Sequence, residues 1–350
     1  MSKVNILLTG ATGYIGGSIL QRLLQHQNAQ KFEIATLVRD PAKAKILEEK
    51  FGVKTTLGSV TDQDKLAALA EGAHVIIHTA DSADNLDAIN AIRRGMKSRH
   101  EKFGDPPHLI HTSGAGMFID PKQSSPIAYS DADVGPIEAL PPDALHRAID
   151  LLVIDADENG GYALTHIVLP TIVYGLGHGP LFDAGISNPY TTVIQFLVGA
   201  ALKRGSVGLP PEGAGTWMVV HIDDLADLYV NMLDAILSKP EKVSHGRTGY
   251  FIAENGSQDI HGVLQSIAEG LFALGRVSTA GLVPYAPGEA ARYFGGEFFS
   301  TVLFASVVCK GERARREFGW VPKHPPQDFV ESLKKDVSEY VRKVDGAKRV

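Results

Sequence analysis

The chain has 350 residues, of which 44% are hydrophobic, and its 34 basic and 40 acidic side chains leave a formal net charge of −6. This length allows a large core in one or two domains, and the absence of a long run of either charge excludes the basic footprint typical of nucleic-acid binding. A single cysteine, Cys309, excludes an intrachain disulfide. No apolar run reaches the roughly 18 residues of a membrane span, and the N-terminal segment indicates a strand instead of a signal peptide. We therefore expect a soluble cytoplasmic protein that binds neither nucleic acid nor membrane.

Short β-branched segments alternate with amphipathic segments of helix length over the first 180 residues. The β-branched segments predict strands at residues 3–8, 32–38, 54–60, 74–80, 108–114 and 165–175. Apolar residues at three- and four-residue spacing predict helices at residues 13–25, 62–70 and 85–96. This alternation is typical of βαβ units in a parallel sheet, and the nearly continuous apolar strands indicate helices on both faces. The predicted fold class is α/β, with a doubly wound parallel sheet of the Rossmann type.

The composition changes after Gly175. Residues 176–190 and 205–216 are rich in glycine and proline, which indicates loops. We predict that residues 1–180 form the Rossmann domain and that residues 181–350 form mostly a smaller C-terminal lobe for substrate. A later segment, for example 217–240, is expected to complete the main sheet.

A glycine-rich turn follows the first predicted strand and opens the first predicted helix. Its glycines, Gly10, Gly13 and Gly16, have the spacing G-x-x-G-x-x-G. Glycine here allows a tight turn, close approach of backbone amides to a pyrophosphate and close helix–strand packing, while the helix N-terminus favours negative charge. Because the turn lies between a strand and a helix, it indicates a dinucleotide-binding loop. The predicted cofactor contacts in this loop are Gly10, Thr12, Gly13, Tyr14, Ile15 and Gly16.

The end of the second predicted strand bears on which dinucleotide binds. An acidic residue there usually holds the ribose hydroxyls of NAD, whereas an arginine accommodates the 2′-phosphate of NADP. Arg39 comes first, Asp40 follows directly, and Lys43 adds a second cation within one helical turn. We therefore predict NADP(H), with Arg39 and Lys43 as contacts. In the alternative interpretation both cations are solvated surface charges, and Asp40 caps the helix that begins at Pro41.

Further segments, in order and spacing, resemble the extended and atypical branches of the short-chain dehydrogenase/reductase superfamily, with fungal NmrA-like and epimerase-like proteins as the nearest match. Residues 58–60 match the turn that contacts adenine, although Ser59 stands where the superfamily usually has an acidic residue. The other matching segments are the strand ends at 77–81, 110–114 and 170–175, the "vHvdDla" element at 217–226 and the "aLGW-P" signature at 314–322. The resemblance implies further cofactor contacts at Ser59, Val60, Thr79, Ala80, Asp81, Thr112, Pro170 and Ile172.

The resemblance also implies a catalytic serine, which matches Ser113, and a Tyr-x-x-x-Lys pair a few tens of residues later. The aligned positions hold His146 and Asp150 instead. In one interpretation His146 is a substitute proton donor oriented by Asp150. In a second, hydride transfer proceeds without a dedicated acid. In a third, the site is redox-silent and serves sensing, and in a fourth the two side chains form a structural pair on one helix face.

Other side chains offer a proton from another direction. Tyr129 precedes the altered helix, and Tyr174 lies in the sixth-strand segment, where packing is the alternative role. His78 and His111 end strands beneath the expected cofactor and are predicted to pack there, and His221 is predicted to be a structural hydrogen-bonding residue. The 13 histidines show no metal-ligand spacing, so no metal site is predicted. The predicted catalytic set is Ser113, His146, Asp150 and Tyr174.

Ligands of an open α/β sheet lie beyond the carboxyl ends of its strands. The loops expected there offer a mostly apolar and aromatic wall with few fixed charges, which suits a small apolar organic molecule. Arg204 and Arg292 keep a sugar diphosphate open, and the aromatic residues can equally be ordinary core. The predicted substrate contacts are Met117, Phe118, Tyr129, Phe182 and Trp217, with Phe294 and Phe298 as further candidates.

The predicted function is an NADP(H)-dependent oxidoreductase that reduces a small apolar metabolite or catalyses a redox-coupled rearrangement or cyclisation. Only the resemblance suggests fungal specialised metabolism. The alternatives are a nucleotide-sugar-type epimerase or dehydratase and a non-catalytic NmrA-like regulator that senses NADP. The habit of the superfamily also implies a homodimer through the helices that carry residues 84–104 and 143–158.

Overall fold

The computed structural model describes residues 3–120, 127–211 and 213–347. Within these ranges the strands are β1 (Val4–Thr9), β2 (Phe32–Val38), β3 (Lys54–Leu57), β4 (Val75–His78), β5 (His108–Thr112), β6 (Ala128–Ser130), β7 (Leu164–Pro170), β8 (Ile172–Tyr174), β9 (Gly208–Leu209), β10 (Thr216–His221), β11 (Tyr250–Ala253), β12 (Ser257–Asp259), β13 (Val283–Pro284) and β14 (Val308–Lys310). The helices are α1 (Tyr14–Leu24), α2 (Pro41–Phe51), α3 (Gln63–Gly72), α4 (Leu86–Phe103), α5 (Gly135–Glu138), α6 (Arg147–Glu158), α7 (Pro180–Asp183), α8 (Thr192–Arg204), α9 (Ile222–Ser238), α10 (Ile260–Ala273), α11 (Ala291–Phe294), α12 (Glu297–Phe304), α13 (Arg313–Phe318) and α14 (Gln327–Ala347).

Seven parallel strands in the order β3-β2-β1-β4-β5-β7-β11 form the main sheet. From β1 the chain moves outward through β2 to β3, and it then returns to β4 on the other side of β1. Such a reversal leaves a crevice beyond the carboxyl ends of β1 and β4, where ligands of open α/β sheets bind. The predicted α/β, Rossmann-type doubly wound fold is therefore confirmed.

Helices cover both faces of this sheet because successive strand side chains point to opposite sides. Ile6 and Leu8 of β1 lie in one buried cluster with apolar residues of α1, α2 and α9. Leu7, between them, lies in a second cluster with residues of α3, α4 and α6. The continuous apolar strands that predicted a two-sided sheet are therefore buried on both sides.

The predicted strand at 165–175 forms two strands in two different sheets. β7 stays in the main sheet and ends at Pro170. At Thr171 the backbone N–H and the side-chain hydroxyl both donate to the carbonyl oxygen of Ala253 (3.1 and 2.9 Å), and β8 begins at the next residue. β8 pairs instead with β10, which also pairs with β12. The proposed completion of the main sheet by 217–240 is wrong, because β10 pairs with β8 and α9 packs against α1, while β11 occupies the free edge of β7.

A third buried cluster lies in the smaller lobe, between β8, β10, α8, α10 and α14. The lobe is joined to the main sheet through Asp224 of α9, whose buried carboxylate accepts the backbone N–H groups of Lys323 and His324 at 2.9 Å each. The backbone carbonyl of Asp224 also accepts the indole N–H of Trp320 (2.8 Å). Across the described ranges, no helix is both long and apolar enough to span a bilayer.

Candidate functional site

The glycine loop between β1 and α1 leaves no room for side chains. A Cβ on Gly10 would lie 2.5 Å from Thr79 Oγ1, and a Cβ on Gly16 would lie 2.3 Å from the carbonyl oxygen of Gly10. Gly10 also has a φ of +79°, in the left-handed region that favours glycine. The Gly13 N–H donates to the Gly10 carbonyl (2.8 Å) and closes the turn. The backbone is therefore bare on the side where a ligand approaches.

The first turn of α1 keeps its backbone N–H groups free of side-chain caps. Gly13 occupies the N-cap position without a side-chain hydrogen bond, and the first turn contains no acidic residue. By contrast, Asp40 caps α2 by accepting the N–H groups of Ala42 and Lys43 (2.8 and 3.4 Å). Uncapped N–H groups and the positive end of the helix dipole favour an anion. The N-terminus of α1 therefore fits a pyrophosphate.

A cavity of about 690 Å³ lies in front of this helix end, at the switch point of the sheet. Twelve predicted cofactor contacts line it: Gly10, Thr12, Gly13, Tyr14, Ile15, Gly16, Arg39, Ser59, Val60, Thr79, Ala80 and Asp81. Six further lining residues were not predicted: Leu37, Gly58, Thr61, Asn85, Asn188 and Thr192. The volume and the uncapped helix end fit a dinucleotide.

Two of these unpredicted residues follow β8, Asn188 in the loop and Thr192 at the start of α8. Asn188 donates its backbone N–H to the carbonyl oxygen of Thr12 (3.0 Å), and Ser187 donates its hydroxyl to the carbonyl oxygen of Ala11 (2.9 Å). These bonds hold the loop over the glycine turn and bring Asn188 and Thr192 to the cavity. The sequence signalled a loop here, but no local pattern indicated its docking partner.

Arg39 lies exposed on the cavity wall and makes no ion pair within the described ranges. Asp40 faces away, because its carboxylate caps α2. The alternative role predicted for Asp40 as a cap is therefore what the structure shows. Lys43 does not line the cavity, because its ammonium group donates to the carbonyl oxygen of Ile186 (2.7 Å).

Three other predicted cofactor contacts also lie outside this cavity. The Thr112 hydroxyl is hydrogen-bonded to the hydroxyl of Tyr229 (2.6 Å) in the interior, where burial raises the pKa of Tyr229. Pro170 is buried in β7, and Ile172 packs against the lobe cluster at the start of β8. The predicted contacts from the first half of the sheet are thus gathered at the cavity, whereas these three are not.

Ser113 follows β5 directly and is bound to Asp150 from α6. The Ser113 hydroxyl donates to Asp150 Oδ2 (2.9 Å), and the Asp150 side chain is fully buried. The other carboxylate oxygen, Oδ1, lies 3.5 Å from Nε2 of His111, which is also fully buried. Serine, carboxylate and imidazole therefore lie in one interior group behind the strand end.

The predicted pairing of His146 with Asp150 is wrong. His146 precedes α6 with a φ of +68°, so it lies outside the helix and shares no helix face with Asp150. Its Nδ1 is hydrogen-bonded to Asp84 Oδ1 (2.8 Å), and its ring lies over the backbone of Gly114 and Gly116. His146 is thus near the end of β5, with Asp84 as its partner.

Tyr174 is a packing residue in this structure. Its ring stacks on Phe329 at 4.9 Å between centroids, and its hydroxyl donates to the carbonyl oxygen of Pro325 (2.9 Å). Burial raises the pKa of Tyr174 above its ordinary value. The proton-donating role proposed for it is therefore not supported by its geometry, because the hydroxyl points into the smaller lobe.

The five predicted substrate contacts fall in three separate places. Met117, Phe118 and Tyr129 share the buried cluster behind Ser113, where the Phe118 and Tyr129 rings stack at 4.3 Å. Phe182 packs against the cluster under α1. Trp217 is buried in the lobe and donates its indole N–H to the carbonyl oxygen of Leu303 (2.9 Å). A single wall made of all five is therefore wrong, because Trp217 is a core residue of the lobe cluster and Phe182 packs against a different cluster.

One group of three potential metal ligands, His221, Asp223 and His324, is present among the described residues. The two imidazole rings stack in near-parallel planes 3.8 Å apart, so their in-plane lone pairs lie side by side and do not converge on one point. The Asp223 carboxylate already binds Arg22 and His178 (2.9 Å each). Burial and the neighbouring His324 ring lower the pKa of His221 to about 4. This arrangement is typical of packing, in line with the structural role predicted for His221.

The fold and the cavity together have the form of a Rossmann-type, NAD(P)-binding domain with a smaller lobe. Residues 10–119 match the NAD(P)H-binding family. This match includes the glycine loop, Arg39 and Ser113, and it contains every residue that lines the cavity except Asn188 and Thr192.

The chain is similar in sequence to the oxidase ucsJ of an Acremonium species, with 29% identity over 92% of this chain and 93% of that protein. In fold it is similar to UDP-glucose 4-epimerase of Bifidobacterium longum, with a TM-score of 0.63 and 15% identity over 96% of this chain and 98% of that one. The dTDP-glucose 4,6-dehydratase of Bacillus anthracis gives a TM-score of 0.61 at 16% identity, covering 97% of both chains. The predicted resemblance to the extended, epimerase-like branch of the short-chain dehydrogenase/reductase superfamily is confirmed at the level of fold and of the NAD(P)H-binding domain.

Proposed function

We propose that this protein is an NADP(H)-dependent oxidoreductase that transfers hydride to or from a small apolar organic molecule. The observation that carries the proposal is the cavity of about 690 Å³, which has an uncapped helix N-terminus at its centre and, on its wall, Arg39, which forms no ion pair with any described residue. The first suits a pyrophosphate and the second suits a further phosphate. The similarity to a fungal oxidase supports redox chemistry.

The preference for NADP(H) follows from how the end of β2 is arranged. The Asp40 carboxylate caps α2, so it does not present an acceptor to ribose hydroxyls. Arg39 is left with a planar guanidinium that can bind phosphate oxygens in pairs. Lys43 belongs to the proposal only as a more distant charge, because it is bound to Ile186.

When bound, the cofactor supplies the centre that gives or accepts hydride. The chain itself holds the pyrophosphate at α1, and Ser113 at the end of β5 can hydrogen-bond a substrate oxygen. None of the ten tyrosines in the chain is followed by lysine four residues later. The protein therefore has no Tyr-x-x-x-Lys pair, and proton transfer must use other groups. His146, whose Nδ1 is hydrogen-bonded to Asp84, stays a candidate for this role.

An apolar substrate fits the surroundings of Ser113 better than a sugar diphosphate does. Met117 and Phe118 lie four and five residues after Ser113 and are apolar. Arg204, proposed as a diphosphate contact, donates to both carboxylate oxygens of Glu289 (2.8 and 3.1 Å) and to backbone carbonyl groups. The epimerase alternative is favoured by the fold neighbours, yet this arginine is already satisfied.

The proposal also includes a place in fungal specialised metabolism, a cytoplasmic location and a homodimer, which stay predictions from the resemblance. A non-catalytic regulator that senses NADP is the competing hypothesis. Turnover distinguishes the two, because a regulator binds the cofactor without oxidising it. The oligomeric state can be measured by light scattering of the purified protein.

The cofactor is tested by calorimetric titration of the protein with NADPH and with NADH. We expect NADPH to bind more tightly, and Arg39→Ala to weaken NADPH by roughly tenfold or more while changing NADH little, since charged hydrogen bonds contribute about 1.5–3 kcal/mol. Lys45→Ala is the matched control, because Lys45 lies on the exposed side of α2 in an ion pair with Glu49. An equal loss for both cofactors in Arg39→Ala would refute the assignment, and no binding of either by the unaltered protein would refute the function.

A further inference from the structure

Three buried side chains behind Ser113 carry polar atoms that have no hydrogen-bond partner among the described residues. His78, His111 and Asp150 each have 0% exposure. The unpartnered atoms are His78 Nε2, both ring nitrogens of His111, and Asp150 Oδ1. Buried polar groups are nearly always satisfied, so four such atoms on three neighbouring side chains need a physical reason.

The register of the sheet brings these residues into one row. Thr9 of β1 is paired with His78 of β4, and His78 is paired with His111 of β5. All three lie at the carboxyl ends of their strands, and α6 brings Asp150 to the same buried region, where its carboxylate reaches Ser113. The row therefore runs along the end of the sheet, directly beneath the cofactor cavity that Thr79 and Ala80 line.

Thr9 determines which nitrogen of His78 carries the proton. The Thr9 hydroxyl oxygen accepts the backbone N–H groups of Thr79 and Ala80 (3.0 and 3.2 Å). With both lone pairs used, its own proton must be donated to His78 Nδ1, 2.8 Å away. The proton of neutral His78 is then on Nε2, the unpartnered atom. Burial, followed by the neighbouring His111 ring, lowers the pKa of His78 well below its ordinary value, so this ring stays neutral.

His111 continues the same direction of donation. Its ring is the neighbour of the His78 ring, with 5.7 Å between the centroids and 43° between the ring planes. If Nδ1 accepts from His78, the proton of His111 is on Nε2, and Nε2 faces Asp150 Oδ1 at 3.5 Å. Ser113 donates to the other oxygen, Oδ2. The donors therefore run from both sides toward one carboxylate.

The remaining charges near Asp150 neutralise one another. Tyr250 faces Asp150 and donates its hydroxyl to Glu138 Oε1 (2.8 Å), and burial raises its pKa. Arg147 binds both Tyr250 and Glu138. Tyr250 is thus a neutral donor to another acid, and the guanidinium is paired. Within the described ranges, the donors that face the Asp150 carboxylate are Ser113 and His111.

We propose that Asp150 takes up the substrate proton through Ser113, and that His111 and His78 are positioning residues that stabilise the carboxylate charge that Asp150 carries in the interior before it takes up the proton. This inference rests on the proposed function. In the oxidative direction, the C–H and O–H bonds of an alcohol break and a C=O bond forms. The hydride and its electron pair go to the cofactor, the hydroxyl proton goes to Ser113 Oγ, and the Ser113 proton moves to Asp150 Oδ2. Reduction is the reverse.

The far end of this chain of donors is closed. Thr9 is held by two backbone N–H groups, which cannot accept a proton. The proton on Asp150 therefore returns to solvent through Ser113, which is 8% exposed, and not through the histidines. The role of His111 and His78 is to donate to the carboxylate and to fix its orientation. They replace, by neutral donors, the charge that a lysine would supply.

The first test needs no turnover. Nitrogen-15 and proton NMR of the full-length protein, labelled at histidine, reports the tautomer of each ring, and His78→Gln and His111→Gln assign the two signals. We expect the proton of each ring to be on Nε2, and Thr9→Val to release His78 from this tautomer. A proton on Nδ1 of His78 or His111, or unchanged tautomers in Thr9→Val, would overturn the proposed role of these two histidines.

The second test measures the pH profile of NADPH consumption with 9,10-phenanthrenequinone as a probe carbonyl compound. We expect Asp150→Asn to lose roughly 10²–10⁴ in kcat, as for removal of an acid–base group. NADPH consumption requires Asp150 in its protonated form, and loss of a donor to the carboxylate favours that form. His111→Phe should therefore lower kcat and move the basic limb to higher pH, and His111→Gln, which keeps a donor at the Nε2 position, should restore most of both. The exposed His261→Phe is the control.

These outcomes separate the two proposals. If the unaltered protein does not bind NADPH, the proposed function fails, and the proton transfer fails with it. If the protein turns over the probe but the two tautomers are reversed, or His111→Phe has the unaltered pH profile, only the proposed roles of Asp150, His111 and His78 are overturned. Thermal unfolding of each variant identifies a loss of kcat that comes from loss of folding, and His111→Gln then decides the result.

Discussion

Replacing Gly16 with alanine should push the glycine loop away from α1. A Cβ at Gly16 would lie 2.3 Å from the carbonyl oxygen of Gly10 and 2.6 Å from Thr79 Oγ1, whereas an ordinary contact begins at 3.4 Å, so the loop must move by roughly 1 Å. Alanine gains about 1 kcal/mol over glycine as a helix former, and overpacking costs about 1–3 kcal/mol. The free energy of unfolding should therefore fall by no more than about 2 kcal/mol.

The larger effect of this substitution should be on cofactor binding. The displaced loop carries the amides that approach the pyrophosphate, so NADPH affinity should fall at least about tenfold, which corresponds to about 1.4 kcal/mol. Calorimetric titration measures this loss, and urea denaturation measures stability. Gly199→Ala on α8 is the matched control, because a Cβ there meets no atom within 4 Å. It should raise stability by about 1 kcal/mol and leave NADPH binding unchanged. Unaltered NADPH affinity in Gly16→Ala would refute the packing argument.

Two further predictions concern stability. Asp224→Ala leaves the part-buried backbone N–H groups of Lys323 and His324 without an acceptor, so urea denaturation should show a loss of about 2–4 kcal/mol. Asp227→Ala, which removes only partly exposed ion pairs, should cost less than about 1 kcal/mol, and equal losses would contradict the distinction. Burial lowers the pKa of His108 to about 4 and the pKa of His166 to about 3, from an ordinary value of 6.5. The unfolded chain then binds more protons below pH 6.5, so stability is fully present above that pH and falls toward pH 4, by up to about 1.4 kcal/mol per pH unit for each histidine. Denaturation midpoints that stay constant over this interval would show that these rings are protonated in the folded protein.

The sequence by itself determined the features that depend on neighbouring residues. The six predicted strands of the first 180 residues exist, because β-branched periodicity acts within each segment. The loop from Gly10 to Gly16 needs glycine for local steric reasons, and Asp40 caps α2 within three residues of itself. Twelve of the predicted cofactor contacts line the cavity, because the carboxyl ends of parallel strands lie at one edge of the sheet.

Only the tertiary structure decided which distant side chains meet. His146 and Asp150 are four residues apart, so a continuous helix would place them on one face. His146 instead has a left-handed conformation, α6 begins only at the next residue, and the His146 ring is hydrogen-bonded to Asp84. Trp217 becomes lobe core because β10 pairs with β8 instead of with β7. The alignment of His78 with His111 depends on strand register, which is set by packing over the whole sheet and leaves no signal in either local segment.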